Sequence, residues 1–415
     1  MQPLCSTTMV FEVSAVAIIT SIPPSKHDPN ASLQQHRDPF SMAARQGRLT
    51  LRQLQVLHRH GDRTALHNVL VGSVAPAAVL AEVKQWEAKL PSDQALRELR
   101  TRYRLDHGEN DVVSNLQRRP FGCLTQRGIE QMESRGVMLA ALCEHEGLNL
   151  SELRPSDVEV HCNAYVRTQL SVQSLLTGLL AKHDHLAPPV NVLPPHNDMI
   201  HTYSVYPEIA DLKHALERES DAMRAREEEL AALKQALQAR LPLFSSGAAA
   251  FMWSTAGDYF TCRSSHDLPF LPGTAELQEA TLTHLAFRFH EFYEHRRIRS
   301  LVASQLVDKA LQEMDKAVSD TPDAKRLIVY SGHDVSILAV MHAIDVAVVH
   351  ERSVWPPYSS ALTLELLEDE AGKWFTRVRL DGEPLSLRPS TSDSLVSLDD
   401  LRAIIRDRID YVHQG

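Results

Sequence analysis

The segment His58-Arg59-His60-Gly61-Asp62-Arg63-Thr64 concentrates two imidazoles, two guanidinium groups and a carboxylate within seven residues. One chemistry that fits this pattern is metal binding. In a strand, His58 and His60 point to the same face, where they could ligate one ion together with Asp62. The flanking arginines would repel a dication, and position 63 is Arg where a metallohydrolase pattern needs another histidine. We therefore prefer a second chemistry.

That second chemistry is phosphoryl transfer. A guanidinium group is always charged and presents planar donors that match phosphate oxygens. Arg59 and Arg63 bracket His60, so they predict a pocket that binds a phosphoryl group and offers it an imidazole as nucleophile. Gly61 lets the backbone approach the ligand closely.

Two further segments lie where a strand gives way to a helix. His333 and Asp334 follow the apolar run Leu327–Tyr330 and open a helical stretch, and Arg167 follows the alternating run Asp157–Cys162. In open α/β sheets ligands bind beyond the carboxyl ends of strands, and helix N-termini favour anions. By themselves, Asp334 could be only a helix N-cap and Arg167 only a surface residue. Together with the first cluster they predict one phosphate site.

The surrounding pattern predicts the elements that position these residues. Besides the runs named above, strands are expected at 51–57, 361–367 and 374–380. Helices are expected at 76–104, 124–148 (after a Thr125 N-cap), 172–180, 208–240 (a charged helix pair), 276–318 and 336–344. This order predicts an α/β fold: a mixed, mostly parallel central sheet flanked by helices, with a smaller helical cap inserted.

The domain organisation follows from these elements and from the composition. Residues 1–45 are expected to be a flexible N-terminal extension. Residues 46–195 and 321–415 are expected to form the α/β core, and residues 196–320 the helical cap.

Composition excludes several classes of protein. The 415 residues carry 43 basic and 53 acidic side chains, a net charge of −10, which argues against nucleic-acid binding. The sequence contains no apolar run of about 18 residues, so no membrane-spanning segment is predicted. The odd number of cysteines, five, without CxxC spacing predicts neither a disulfide framework nor a zinc site. This favours a cytoplasmic location and leaves secretion or an organelle open. The oligomeric state is not predicted. The 21 histidines invite either metal or acid–base chemistry.

Five segments resemble, in order, those of the histidine acid phosphatases, a branch of the histidine phosphatase superfamily that includes acid phosphatases and phytases. They are LHRHGDRT (57–64), LTQRGIEQ (124–131), VRTQLSVQSLLTGL (166–179), VYSGHD (329–334) and PPYSSALTLELLE (356–368). The resemblance spans about residues 50 to 370, and its middle part is weakly matched.

The resemblance implies a role for each matching residue. His60 is implied as the nucleophile that forms a phosphohistidine, and Asp334 as the acid that protonates the leaving group. Arg59, Arg63, Arg167 and His333 are implied as the phosphate pocket. No metal or other cofactor is implied, and the expected partner is a small-molecule phosphomonoester.

Two departures from the family pattern and several alternatives accompany this expectation. Ala65 stands where the family usually has Pro, and Ala361 where secreted relatives have Cys, so no disulfide from Cys262 to that position can form. The few lysines of the insertion argue against a phytase. A specialised phosphatase acting, for example, on lysophosphatidate stays open, as does a catalytically weak phosphate-binding protein.

Overall fold

The structure is a computed structural model that describes residues 49–108, 119–388 and 394–412. The extension expected at residues 1–45 lies outside these described residues. Within them, nine strands form one sheet. In chain order they are β1 (Thr50–Arg59), β2 (Leu105–Asp106), β3 (Val158–Asn163), β4 (Val190–Leu193), β5 (Leu327–Gly332), β6 (Ala361–Glu368), β7 (Trp374–Leu380), β8 (Glu383–Leu385) and β9 (Leu395–Ser397).

The sheet has a parallel and an antiparallel part. Its strand order is β2-β4-β3-β5-β1-β6-β7-β8, and β9 pairs with β7. The pairs from β2 to β1 are parallel, and those from β1 onward to β6, β7, β8 and β9 are antiparallel. β5 is buried along its whole length, as expected of a central parallel strand covered on both faces.

Thirteen α-helices flank or extend from the sheet in the described part of the chain. They are α1 (Pro76–Glu87), α2 (Asp93–Arg102), α3 (Gln126–His145), α4 (Val166–Leu179), α5 (Glu208–Glu219), α6 (Asp221–Glu229), α7 (Ala231–Arg240), α8 (Pro242–Ser245), α9 (Trp253–Ser265), α10 (Gln278–Glu294), α11 (Arg296–Val318), α12 (Asp334–Ala343) and α13 (Leu398–Arg408). The predicted α/β fold with a mixed sheet flanked by helices is confirmed.

Helices cover both faces of the sheet. Alternation along β5 sends Leu327 and Val329 into a core shared with α3 and α4. Ile328 and Tyr330 point the other way, into a core shared with α11, α12 and α13. The carboxyl ends of β1, β3 and β5, which carry the predicted site residues, therefore lie side by side at one edge of a well-packed scaffold.

The segment between β4 and β5 is largely helical. Its helices α7 to α9 share a separate apolar cluster that includes Phe244, Trp253 and Phe260. The helix pair expected at 208–240 is three helices, with one break at Ser220, which is extended and caps α6 through the Met223 amide, and a second at Leu230. α11 lies within the expected insertion, residues 196–320, yet it packs against the sheet. The boundary at residue 320 therefore stays a prediction. No helix among the described residues is both long and apolar enough to cross a membrane.

Close backbone contacts join α3 to its neighbours. A Cβ atom on Gly61 would lie 2.4 Å from the carbonyl oxygen of Gly128, so the start of α3 packs directly on the loop that follows β1. Farther along α3, a Cβ on Gly136 would lie 2.1 Å from the carbonyl oxygen of Leu175 in α4. These distances leave no room for a methyl group, so helix packing depends on both glycines.

We expect Gly136→Ala to separate α3 from α4 and to lower the free energy of unfolding by about 1–3 kcal/mol, as overpacking does. Chemical denaturation measures this change. Met138→Ala, at an exposed position of the same helix, is the matched control. A Gly136→Ala protein as stable as the control would contradict the packing argument.

Candidate active site

Three neighbouring parallel strands bring the predicted residues together. β1 ends at Arg59, and the His60 amide bonds to the carbonyl oxygen of Gly332 at the end of β5 (3.0 Å). The Gly61 amide donates to the Ser171 hydroxyl of α4 (3.0 Å), which ties the same loop to the helix after β3. The ring centroids of His60 and His333 lie 5.5 Å apart.

The backbone carbonyl of the next residue determines the tautomer of His60. His60 Nδ1 lies 2.8 Å from the carbonyl oxygen of Gly61. A carbonyl oxygen can only accept, so Nδ1 carries the proton and donates it. In the neutral ring Nε2 is then left with its lone pair, which is the state that a nucleophilic or ligating imidazole needs.

The surroundings keep His60 neutral. Burial lowers the pKa of His60 well below its ordinary value, and the positive charges of Arg167, Arg59 and Arg63 lower it further. Protonation would place a fourth positive charge in a water-poor site, which is costly. The imidazole therefore stays unprotonated through the mildly acidic range.

The three arginines around His60 are almost completely buried. Arg59 is 3%, Arg63 8% and Arg167 9% exposed. Their Nε atoms have no hydrogen-bond acceptor among the described residues. Burial and the charge of Arg63 lower the pKa of Arg167 to about 10. Buried guanidinium donors without acceptors form a site for an anion, since an anion would supply both the acceptors and the opposite charge.

Each of the three arginine side chains is held in place by other protein groups. Arg63 Nη1 pairs with Asp258 of α9 at 2.6 Å, and the Asp258 carboxylate also accepts from the Leu66 amide (2.7 Å). Arg167 stacks on the Tyr165 ring, 4.3 Å from its centroid.

Arg59 is positioned by the segment before β6 and by α12. It donates to the carbonyl oxygen of Pro356 (2.7 Å) and lies 4.2 Å from the centroid of the Tyr358 ring. It also pairs with Asp334 at 2.9 Å. Asp334 is the first residue of α12, and its side chain is 20% exposed, so this carboxylate lies where the site opens.

His333 is held by a residue of β3. The side-chain nitrogen of Asn163 lies 2.9 Å from His333 Nε2. The Asn163 side chain is oriented by the Tyr165 amide, which donates to Asn163 Oδ1 (3.4 Å), and the Thr168 hydroxyl lies 2.6 Å from the same oxygen. Burial lowers the pKa of His333 well below its ordinary value, and the charge of Arg167 adds to this.

Asp62, which the metal hypothesis needs as a ligand, has other partners. It accepts from Thr125 (2.5 Å) and from Ser265, and His266 lies 2.7 Å from its carboxylate. Burial alone would raise the pKa of Asp62, but the hydrogen bonds from His266 and its neighbours lower it. Asp62 thus ties the loop after β1 to α3 and to the end of α9. No cluster of three or more His, Cys, Asp or Glu in the described residues could hold a metal ion.

Comparison with protein families gives a match to the model of the histidine phosphatase superfamily (branch 2) over residues 50–381. The chain belongs to this family. Counting factor 60 of Dictyostelium discoideum is 24% identical over 382 residues, which cover 82% of each chain. The prostatic acid phosphatase of Homo sapiens is 32% identical over 136 residues, 31% of this chain and 32% of the relative. The expected family is confirmed.

Solved structures of two bacterial phytases share the fold. The apo form of the Hafnia alvei phytase has a TM-score of 0.56 at 15% identity, covering 88% of this chain and 98% of that one. The Citrobacter braakii phytase has a TM-score of 0.57 at 14% identity, covering 87% and 98%. At this level of identity the likeness establishes the fold alone.

The structure thus brings the six predicted residues of this histidine phosphatase into one site, and it adds residues that sequence reasoning missed. These are Asn163, Asp258 and Tyr358. Asn163 ends β3, a position that could have pointed to it, and Tyr358 lies within a segment of the resemblance. Asp258 lies inside a helix of the weakly matched region, and nothing in the sequence singles it out. Cys262 is a free thiol, 3.3 Å from the Tyr358 hydroxyl.

The buried histidines predict a loss of stability in acid. Burial lowers the pKa of six of them: His58, His201 and His290 to about 4, and also His60, His333 and His342. Between pH 6.5 and about 4 the unfolded chain binds protons that the folded chain refuses. The free energy of unfolding therefore falls as the pH falls through this range. Burial raises the pKa of Asp198 to about 7. This shift raises the free energy of unfolding as the pH falls, but it comes from one group and the opposite effect comes from six.

His290 lies outside the site and allows this dependence to be tested. As the pH falls from 6.5 to 5, the burial of His290 lowers the free energy of unfolding by about 2 kcal/mol. His290→Gln removes this pH-dependent loss, because glutamine does not titrate. We expect a flatter dependence of unfolding free energy on pH for this variant, measured by urea denaturation. The exposed His214→Gln serves as the control. An unchanged slope in His290→Gln would refute the assignment.

Proposed function

We propose that this protein is a phosphomonoester hydrolase of the acid phosphatase type that works through a phosphohistidine on His60. The observation that carries the proposal is the lone pair on His60 Nε2 among three buried guanidinium groups whose Nε donors lack acceptors. A phosphate group fits this charge and these donors. Membership of a family of histidine phosphatases supports the same chemistry.

In the first step His60 Nε2 attacks phosphorus, and the bond to the ester oxygen breaks. The leaving alkoxide takes a proton from Asp334. Arg59, Arg63 and Arg167 neutralise the charge on the equatorial oxygens, and they do so without reorganisation because their protein partners already hold them. The Nδ1 proton stays on its hydrogen bond to the Gly61 carbonyl, which stabilises the positive ring of the phosphohistidine.

In the second step water attacks the phosphohistidine, the P–N bond breaks, and inorganic phosphate forms. The Asp334 carboxylate, left without its proton by the first step, accepts one from the water. In the free protein this carboxylate is paired with Arg59. The negative charge of a bound phosphate group beside Asp334 favours its protonated form, and it draws Arg59 toward the ligand.

The surroundings of Asp334 favour a substrate with one phosphate group. The leaving alcohol must lie on the Asp334 side, where Tyr165, His201 and Tyr203 surround the ring of His333 or stack on one another. Aromatic rings suit an apolar or moderately polar alcohol better than an inositol polyphosphate. Lys213 lies behind Tyr203 and donates to its hydroxyl, so it is engaged with the protein.

His60→Ala should abolish turnover of p-nitrophenyl phosphate, because it removes the Nε2 atom that is proposed to accept the phosphoryl group. Wild-type protein quenched in alkali during turnover of a ³²P-labelled monoester should retain label on a base-stable, acid-labile histidine. EDTA should leave the rate unchanged. Label in the His60→Ala variant, or full inhibition by EDTA, would sink the proposal. His67→Ala, on the same loop and beyond the site, is the control.

Asp334→Ala should affect substrates according to their leaving group. An alkyl phosphate needs protonation of its leaving oxygen, so we expect a loss in kcat of about 10²–10⁴-fold, the usual contribution of a general acid. p-Nitrophenol leaves without a proton, so its ester should lose far less. Steady-state rates on both substrates give the ratio. Equal losses on both would discredit the acid role of Asp334.

A further inference from the structure

His201 is an aromatic residue beside the phosphate pocket to which the proposed reaction gives no chemical role. Its ring centroid lies 4.9 Å from that of His333, and the two rings meet at 65°. On its other side the imidazole stacks on Tyr203, with centroids 4.7 Å apart and an angle of 25° between the planes. His201 is partly exposed. It therefore contacts a residue of the pocket and can also be reached by a ligand.

The loop that carries His201 is fixed at several points. The side chain of Asp198 accepts hydrogen bonds from the amides of Ile200 and His201, both at 2.9 Å. The Thr202 hydroxyl donates to a backbone carbonyl of α11 (2.9 Å). A Cβ atom on Gly332 would lie 2.5 Å from the side chain of Ile200, so the loop packs directly on the end of β5. The backbone of His201 is thus held in a fixed place relative to the sheet.

The ring behind the imidazole is held by its hydroxyl group. Lys213 of α5 donates from Nζ to the Tyr203 hydroxyl at 2.6 Å, and the Tyr293 hydroxyl of α10 lies 2.8 Å from the same oxygen. The Lys213 ammonium group also lies 4.6 Å and 4.8 Å from the ring centroids of Phe289 and Phe292. Two helices of the insertion therefore fix the plane on which His201 stacks.

His201 lies on the side of the site where the proposed leaving alcohol departs. Its ring contacts His333, and Asp334, the proposed acid, is the next residue and begins α12. Burial and the charge of Arg167 lower the pKa of His201 to about 4, while the charge of Asp334 raises it. The imidazole is therefore an uncharged aromatic surface above about pH 4, close to both the phosphate-binding residues and the acid.

We propose that His201 is a specificity-determining residue, and that its ring and the ring of Tyr165 form two walls of a subsite for an alcohol that carries a flat aromatic ring. The two rings are almost perpendicular, at 87°, with centroids 6.1 Å apart, and Tyr165 also contacts His333 at 5.1 Å. An aromatic ring can stack on one such wall and present its edge to the other. This substrate class rests on the proposed function of the site as a phosphomonoesterase.

Benzyl phosphate and cyclohexylmethyl phosphate test the subsite. They are similar in size, and in both the leaving oxygen is on a CH₂ group, so both need the same proton from Asp334. They differ in the flatness of the ring. We expect wild-type kcat/KM to favour benzyl phosphate about fivefold, the size of one aromatic pair. His201→Ala should bring this ratio to about one, and His201→Phe, which keeps a flat ring, should retain it.

The ratio separates a wall from a general effect on folding, because a merely damaged site would lose both substrates equally. Tyr203→Leu, which removes the ring behind His201, should lower the ratio in the wild-type background and leave it unchanged in His201→Ala. His214→Ala, at an exposed position of the helix that carries Lys213, is the control and should keep the wild-type ratio. A wild-type ratio of one, or a fivefold ratio that survives in His201→Ala, would overturn the assignment.

Failure of the proposed function gives a different result. If the wild-type protein hydrolyses both esters at equal kcat/KM, the phosphatase function stands and the aromatic subsite is wrong. If it hydrolyses neither ester, the proposed function fails, and the subsite is judged on binding of the intact esters by calorimetry. Benzyl phosphate must then bind about fivefold more tightly than cyclohexylmethyl phosphate, and His201→Ala must remove that difference.

Discussion

Repulsion among three buried guanidinium groups is the constraint that organises this molecule. Arg59, Arg63 and Arg167 lie close enough to lower the pKa of His60, and the charge of Arg63 helps to lower that of Arg167. Such a cluster persists only where the protein offsets it. Asp258 and Asp334 supply opposite charge, while the faces of Tyr165 and Tyr358 supply cation–π attraction. The remaining imbalance is what a phosphate group would correct.

The sheet and the helical insertion both contribute to holding these charged groups in place. Parallel β1, β3 and β5 deliver His60, Arg167 and His333 to adjacent positions, with precision that comes from strand register. α9 of the insertion then closes on the loop after β1 at two points, through Asp258 on Arg63 and through Ser265 on Asp62. The insertion therefore does more than cover the site, since it supplies the counter-ion of Arg63.

The parts of the site that the sequence predicts are those that follow directly from local position. Two pairs of adjacent residues, Arg59–His60 and His333–Asp334, each follow an apolar run. Strand geometry therefore brings the two pairs together. Asp258 escapes prediction because its role depends on where a helix returns to the sheet. Asp258 lies 195 positions after Arg63, and no periodicity of α9 distinguishes it from a solvated acid. The fold itself was predictable because apolar runs and turn residues alternate clearly, whereas the break at Ser220 was hidden by uniformly helix-favouring residues around it.

Burial of the two site histidines has two opposite consequences in acid. A water-poor site lowers the pKa values of His60 and His333, so their imidazoles stay neutral in mild acid. The same burial means that each of these rings opposes folding as the pH falls, because the unfolded chain takes up protons that the folded chain excludes. The neutrality of these side chains and the stability of the fold in acid therefore make opposite demands on burial. Between pH 6.5 and about 4, other groups must therefore offset this loss of stability. Carboxylates with pKa values held to about 2, such as Glu227 and Glu294, stay ionised across that interval and help keep the fold intact.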